Sequence, residues 1–540
     1  MKKRWIIITG LLAVVMVGAA CLFFSHDSAQ AALQETRRAL RQQGFKIDLA
    51  EFDLSTSAEF RARTAALTNA DLTGTAFRGA IATDRAGLLQ SRLELMAAVG
   101  SYAALVVWKQ EKLPVYFGQD PWLVETQSGK PFWAKLREIC KENRAGLDAA
   151  CDAAMSGPVR FDLQASQGLL MRIGHVAVLK ILTQAFGTRA VLELHDGNRG
   201  AAWTNLLAST RLVTAWDPEP SEFSHMARFY CATLAYNAAW QALQADGWTD
   251  DCLARLQREW ESVDFFRSLP ETEAFNRAGA VALCQRERQE PLSPNHLLKD
   301  ALRSPRTAWY GLVERWHRIR YRHHGSYEDE RALLLHYRDR ELQVRRAAQS
   351  PTWSEMRALP GVTNSVPYVS KYSSGMQCIL NSRQMMLALH CYETCVHSLL
   401  AGLADAESRR RLVVTAIALE RFRGRHGAYP KALQELVPKL LQSPPVDFMD
   451  GKPLRYQLTD DGHFVLYSVG LDCVDDGGNV RRRWRRDPYG LPSYDAPAAF
   501  DLVWPRPASA VEIKAQEAEE EKQAERERAA LQERQKKAER

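Results

Sequence analysis

Apolar positions recur with helical period along most of the chain, and the period changes clearly in two places. The first is at the start, where Lys2, Lys3 and Arg4 precede an uncharged run from Trp5 to Phe24. A helix of that length rises about 30 Å, the thickness of a hydrocarbon core. Between the two places, Leu33 to Gln43 reads as a charged helix. Arg85 to Lys109 reads as a longer one, with Leu88, Leu89, Leu93, Met96, Ala97 and Leu105 at helical spacing. Pro114, Pro121 and Pro131 break the helical pattern after it. From Leu163 the helical signal dominates: Val178, Leu182, Ala185, Phe186 and Ala190 form one stripe. His195-Asp196-Gly197-Asn198 turns the chain into a returning helix through Trp203, Leu206, Leu207 and Val213. Asp217-Pro218-Glu219-Pro220 ends that helix. A third helix spans about Ser221 to Gln244, and Thr249 reads as the N-cap of a fourth. Helices joined by short turns pack antiparallel, and their unequal lengths leave no fixed repeat, so the expectation is an irregular helical array, loosely tetratricopeptide-like.

The second change is near the C-terminus. Ser408 to Arg425 reads as an amphipathic helix with Leu412, Val413, Ala416, Ile417 and Leu419 on its apolar stripe. Gly427 ends it, and Tyr429-Pro430 opens a short helix through Leu433 and Leu436. Period-two alternation then predicts strands at Leu454–Leu458 and Phe464–Val469, around the hairpin signal Asp460-Asp461-Gly462. The second strand runs into Ser468-Val469-Gly470-Leu471-Asp472-Cys473-Val474-Asp475-Asp476-Gly477-Gly478. Carboxylates and glycine-freed carbonyls in such a loop suit a hard cation, since calcium takes six to eight oxygens. Asp472, Asp475 and Asp476 are the candidate metal ligands; an acidic, solvated turn is the alternative.

Composition adds limits. The 540 residues carry 46% hydrophobic and 25% charged side chains with net charge +7, which excludes wholesale disorder and does not by itself imply a nucleic-acid partner. The single bilayer-length run excludes a polytopic transporter. Its basic flank predicts a single-pass bacterial inner-membrane anchor with the bulk of the chain extracytoplasmic. Cleavage after Ala29-Gln30-Ala31 and a lipoprotein box at Cys21 are the rival readings. Nine of the ten cysteines lie beyond the run; Cys140 and Cys151 could close a loop, and Cys391 and Cys395 share a helical face. Arg315 to His324 alternates cations with rings, a pattern that stacks bases or grips phosphates. The helical spacing of Leu312, Trp316, Ile319 and His323 favours rings in the core and arginines in water. Arg481 to Arg486 places five arginines around Trp484, and Glu512 to Arg540 is a charged helical or disordered tail.

Gly427-x-Tyr429-Pro430, Asp447 to Gly451, Pro453-Leu454-Arg455-Tyr456 and Tyr467-Ser468-x-Gly470-x-Asp472 together resemble the globular head of the major pseudopilin of bacterial type II secretion. The resemblance spans Ser408 to Gly478. It implies a helix leading into a small sheet and a calcium-binding C-terminal loop, with Asp472, Asp475 and Asp476 as ligands and Ser468 ordering the loop. Two positions depart from the family pattern: Val465 stands where a further aspartate is usual, and Cys473 where glycine is usual. The layout as a whole is similar to a group of uncharacterised membrane-anchored bacterial proteins with a helical ectodomain, through Ala418-Leu419-Glu420-Arg421-Phe422-Arg423, His426-Gly427-Ala428-Tyr429-Pro430 and Tyr467 to Gly478.

The expected fold is therefore mainly α. It comprises an anchor (1–31), a membrane-proximal helical region (32–160), a helical array (161–404), a pseudopilin-like α+β head (405–505) and a charged tail (506–540). No H-E-x-x-H, G-x-S-x-G or Walker motif occurs, and His390, Cys391, Cys395 and His397 fall on different helical faces. The expected role is a non-enzymatic scaffold with an envelope or secretion-system partner. An extracytoplasmic hydrolase with a scattered site is the alternative. A reporter enzyme active only outside the cytoplasm, fused after Gln43, is expected to be active; activity only of a cytoplasmic reporter at that position would refute the orientation.

Overall fold

The computed structural model describes residues 28–69, 105–106, 113–114, 132–289, 319–360, 362, 396–478 and 501–506, with isolated helical positions in the tail. The described chain is mainly helical. Residues 28–42 form α1, and Ala58–Thr68 form α2. Leu105–Val106 (β1) pairs antiparallel with Leu113–Pro114 (β2). The helix expected over Arg85–Lys109 is thus extended at Leu105–Val106, where β-branched Val106 and Val107 favour strand geometry; the rest of that stretch lies outside the described residues.

Phe132–Glu142 (α3) and Arg144–Met155 (α4) lead into an antiparallel series: His175–His195 (α5), Arg199–Thr214 (α6), Glu222–Leu243 (α7), Asp250–Ser262 (α8) and Leu269–Gln289 (α9). The expected boundaries hold closely. Gly197 turns α5 into α6 with φ 80°, and Thr249 Oγ1 caps α8 by accepting from Cys252 N at 3.3 Å. The apolar pattern of α5 is broader than the stripe read from sequence. Leu179, Leu182, Phe186, Ala190 and Val191 are all buried, as expected of a central helix. Cys140 and Cys151 are free thiols rather than a disulfide, and burial pushes both up to about 11.

Ser326–Ala347 (α10) pairs with α9, and Trp353–Ala358 (α11) follows. The rings-inward reading of the basic stretch is corrected at its described end: Tyr321 is buried, whereas His323 is exposed. The wide turn Tyr321–Gly325 shifts the helical register there. Residues 315–318, Cys391, Cys395, His390 and Arg481–Arg486 lie outside the described residues, and of His397 only the backbone is described.

Val396–His426 forms the long helix α12, which packs on α7 and α8. Its middle is not amphipathic: residues from Leu412 to Leu419 are all buried, with Leu412, Ile417 and Leu419 at 0% exposure. The array covers one side and the sheet module another, so charged residues lie on either side of this stretch. There Arg421 and Arg425 hold Asp250 at 2.8 and 2.7 Å, while Arg410 and Arg411 hold buried Glu407 at 2.7 and 2.8 Å. Arg455–Leu458 (β3), Phe464–Ser468 (β4) and Leu502–Val503 (β5) form an antiparallel sheet in the order β3-β4-β5. The register pairs Arg455 with Tyr467 and Leu458 with Phe464 across the Asp460-Asp461-Gly462 turn. Along β4, Phe464, Leu466 and Ser468 point inward. A single apolar core runs from Trp240 and Trp260 of the array through Ile417 to Leu436, Phe448 and Leu466.

No helix among the described residues is long and apolar enough to cross a membrane; Trp5–Phe24 lies outside them. Ile417→Ala is expected to cost about 2–5 kcal/mol through lost contacts and the cavity left behind. Because the core is shared, array and sheet should melt together. Circular dichroism and limited proteolysis across a thermal ramp check this; early release of residues 427–478 with α7 and α8 intact would contradict it.

Candidate functional site

The acidic loop after β4 sits where three pieces of chain converge, and one arginine organises them. Arg455 begins β3, and its side chain lies beside that of Tyr467, its cross-strand neighbour. The guanidinium donates Nη1 to Asp447 Oδ2 at 3.1 Å, Nη2 to Asp450 Oδ2 at 2.6 Å and Nε to Asp475 Oδ2 at 3.1 Å. A planar fork with five N–H groups meets the three carboxylates along different edges in a fixed geometry. Hydrogen bonding to Asp450 is the largest of the effects that raise the Arg455 pKa.

Asp447 is fully buried and needs all its partners. Its Oδ1 accepts from Ser468 Oγ at 2.6 Å and Met449 N at 2.9 Å, and its Oδ2 accepts from Val469 N at 2.8 Å. Burial nonetheless holds its pKa above the ordinary aspartate value. Ser468 thus ties the end of β4 to Asp447, at the base of the loop. Burial alone would raise Asp450, yet the Arg455 hydrogen bonds keep it below its usual value.

The loop is held from a second direction by α11. Trp353 Nε1 and Arg357 Nη1 both donate to Leu471 O, at 2.8 and 2.9 Å. The amides of Trp353 and Ser354 donate to Phe448 O and Met449 O at 2.8 and 2.9 Å. The first turn of α11 thus uses donors that have no partner within the helix to fix the 447–451 turn. Cys473 has φ 59°, a left-handed conformation that glycine adopts more readily.

The predicted ligands are close in sequence but face different ways. Asp472 Oδ1 accepts from its own loop, at Val474 N, 3.1 Å. Asp475 is taken by Arg455 and by Tyr467 Oη, which donates at 3.0 Å. Asp476 is exposed, and its amide donates to Asp501 Oδ2 at 3.1 Å. Among the described residues no group of three or more His, Cys, Asp or Glu side chains is placed to hold a metal ion. Asp475 is already neutralised by a cation of the protein itself, so the three carboxylates do not fit calcium as they stand.

Compared with known proteins, the chain matches no family model, no curated protein and no solved structure.

Asp501 was not legible in the sequence. It accepts from Asp476 N and Gly478 N, the latter at 2.6 Å, and closes the loop from 23 residues downstream. The intervening arginine-rich stretch gives no sign that the chain returns. Asp447 and Arg455 were visible as motif members without a role, and Trp353 and Arg357 carried no sequence signal toward this loop.

Burial, with the nearby Asp475 and Asp476, raises Asp501 to about 6 from an ordinary 3.8. A carboxyl raised on folding contributes stability that is present below its free-chain value and is lost as pH rises through its folded value. Wild type should therefore gain stability relative to Asp501→Asn as pH falls from about 7 to about 4. Melting curves of both proteins at pH intervals across that window check the sign, and a constant difference would contradict it.

Proposed function

We propose that the chain is a single-pass bacterial inner-membrane protein whose extracytoplasmic helical body displays a pseudopilin-like head to an envelope or secretion-system protein. The observation that carries this reading is the loop's support. Arg455, α11 and Asp501 fix its base, while Val474, at 53% exposure, and Asp476 are exposed. A segment ordered before contact loses little entropy on binding, which favours recognition of a specific protein. The head is also fixed to the array through α12, so force or position at one end is felt at the other.

The uncleaved anchor has support from the same geometry. Ala29 is 7% exposed and Leu33 1% exposed within α1, so cleavage after Ala31 would divide a packed helix. The terminal modules of the proposal, the transmembrane run and the charged helical tail, rest on the sequence pattern.

One feature bears on the hydrolase alternative: a cleft of about 550 Å3 with Asp48 and Asp53 among its lining residues. Asp48 is engaged by Arg41 at 2.5 Å. The Asp53 carboxylate accepts from Ser55 Oγ at 2.6 Å and is held below its ordinary value by that bond. Both carboxylates of the cleft are thus already engaged by groups of the protein. In the buried His175–Glu219–Ser224 cluster, Ser224 donates to the carboxylate rather than to the imidazole, unlike a nucleophile activated by a base. The scaffold reading is therefore preferred.

The test uses the full-length chain in detergent with a photo-crosslinking residue at Val474 and, as control, at Leu458. A discrete protein adduct at 474 that is absent at 458, and that Asp476→Lys weakens roughly tenfold by removing charge complementarity, is expected. Equal labelling at both positions would count against recognition by this loop. Calcium, as the resemblance implies it, would have to draw Asp475 away from Arg455. In that case millimolar calcium raises the melting temperature over a chelator control and Asp472→Ala removes the rise; an unchanged temperature leaves Asp475 paired with Arg455.

A further inference from the structure

We infer that Asp501–Arg506 is a strap coupling the helical array to the far limb of the acidic loop, Asp476–Gly478. While the strap lies docked on α7 the far limb is ordered; undocking frees that limb and leaves the near limb, Val469–Asp475, in place.

The strap divides its contacts between the two parts of the molecule. At the loop end, Asp501 Oδ2 accepts from Asp476 N at 3.1 Å and from Gly478 N at 2.6 Å. Leu502 and Val503 lie opposite Ser468 and Tyr467 of β4, and Trp504 N donates to Leu466 O at 2.8 Å. Pro505 has no N–H and cannot prolong the pairing. The chain leaves the sheet there, and Pro505 O accepts from Trp240 Nε1 of α7 at 2.7 Å. The Trp504 ring meets Tyr236 of α7 edge-on, with centroids 5.2 Å apart and planes at 82°. Trp504, Tyr236 and Trp240 are all buried. The array end is therefore an aromatic contact with one hydrogen bond, and the loop end is a single carboxylate.

Little slack separates these ends. Asp501 and Trp504 are three residues apart, about 10 Å of extended chain. The part paired as β5 is two residues long and forms an edge of the sheet β3-β4-β5. So short a ladder supplies few hydrogen bonds of its own, and the end contacts decide whether the strap stays docked. Coupling of this kind acts equally in both directions, so weakening either end loosens the other.

The near limb takes its bonds elsewhere. Val469 N donates to Asp447, Leu471 O accepts from Trp353 and Arg357, and Asp475 is held by Arg455 and Tyr467. None of these groups belongs to the strap. The amides of Asp476 and Gly478, by contrast, both end on Asp501. The division between what the strap orders and what it does not therefore falls after Asp475. The coupling needs no partner, so it can fail while recognition at Val474 stands.

Hydrogen–deuterium exchange of the full-length chain in detergent, resolved to single amides, tests the strap. Trp240→Phe keeps a ring in α7 and removes the donor to Pro505 O. It is expected to speed exchange at Asp476 and Gly478 roughly tenfold, with Met449 and Val469 staying within about twofold of wild type. In the reverse direction, Asp501→Ala should speed exchange of the Trp504 amide by a similar factor. Should Trp240→Phe fail to fold, Trp504→Phe, which shrinks the contact with Tyr236, carries the same expectation for the loop. Equal acceleration at 449, 469, 476 and 478 would mean one undivided core and overturns the inference. Unchanged exchange at 476 and 478 in a folded variant, or at 504 in Asp501→Ala, overturns it as well.

Discussion

The burial of the central turns of α12 is the constraint on which the rest depends. Consecutive residues from Leu412 to Leu419 have no exposed side, so α12 needs covering elements all round. α7 and α8 supply part of the cover, and the segment from Leu433 to the β-sheet supplies more. The charged residues of this helix flank the buried stretch on both sides, where Arg410, Arg411, Arg421 and Arg425 reach carboxylates. Cavity costs of about 2–5 kcal/mol per truncated large side chain make this core the dominant stabilising contact between the array and the sheet. Exposed ion pairs such as Arg423–Asp246 add little.

The loop at the other end of the sheet follows a different logic. Asp447 is buried as a carboxylate with four hydrogen bonds, and its removal from water is tolerable only because every lone pair has a donor. Arg455 then carries Asp450 and Asp475 on its remaining edges. One guanidinium replaces what a bound cation would do for an acidic loop. Helix α11, only six residues long, fixes the loop through its first two amides and the Trp353 and Arg357 side chains, while Trp353 and Met356 also join the core.

Features set by local chemistry were legible from the amino-acid order. The Thr249 cap, the Gly197 turn and the Asp460-Asp461-Gly462 hairpin all lie where turn and cap preferences place them, because neighbours in sequence make them. Asp501 and Trp353 were not legible, since each reaches the loop across a long excursion that no local pattern encodes. The errors have physical causes as well. Periodicity marks the apolar face of α12 but cannot show that a second layer covers the other face. At Tyr321 a single wide turn rotates the helix, so a spacing argument carried through it assigns His323 to the wrong side. The short strand at Leu105–Val106 shows β-branched residues prevailing over an otherwise helical spacing.

The sharing of α12 also bears on how such a chain can change over generations. A helix that leads into a small sheet and packs on nothing else is exchangeable as one cassette. Here the same helix belongs equally to the array. A crossover that brought in a foreign head with its own helix would replace the surface on which α7 and α8 pack. One that kept the helix would leave the new sheet facing Phe448, Leu466 and Ile417 contacts it had not been selected to match. Array and head must then diversify together, and variation is freest in the outward-facing residues of the loop, where Val474 and Asp476 can change without disturbing either partner.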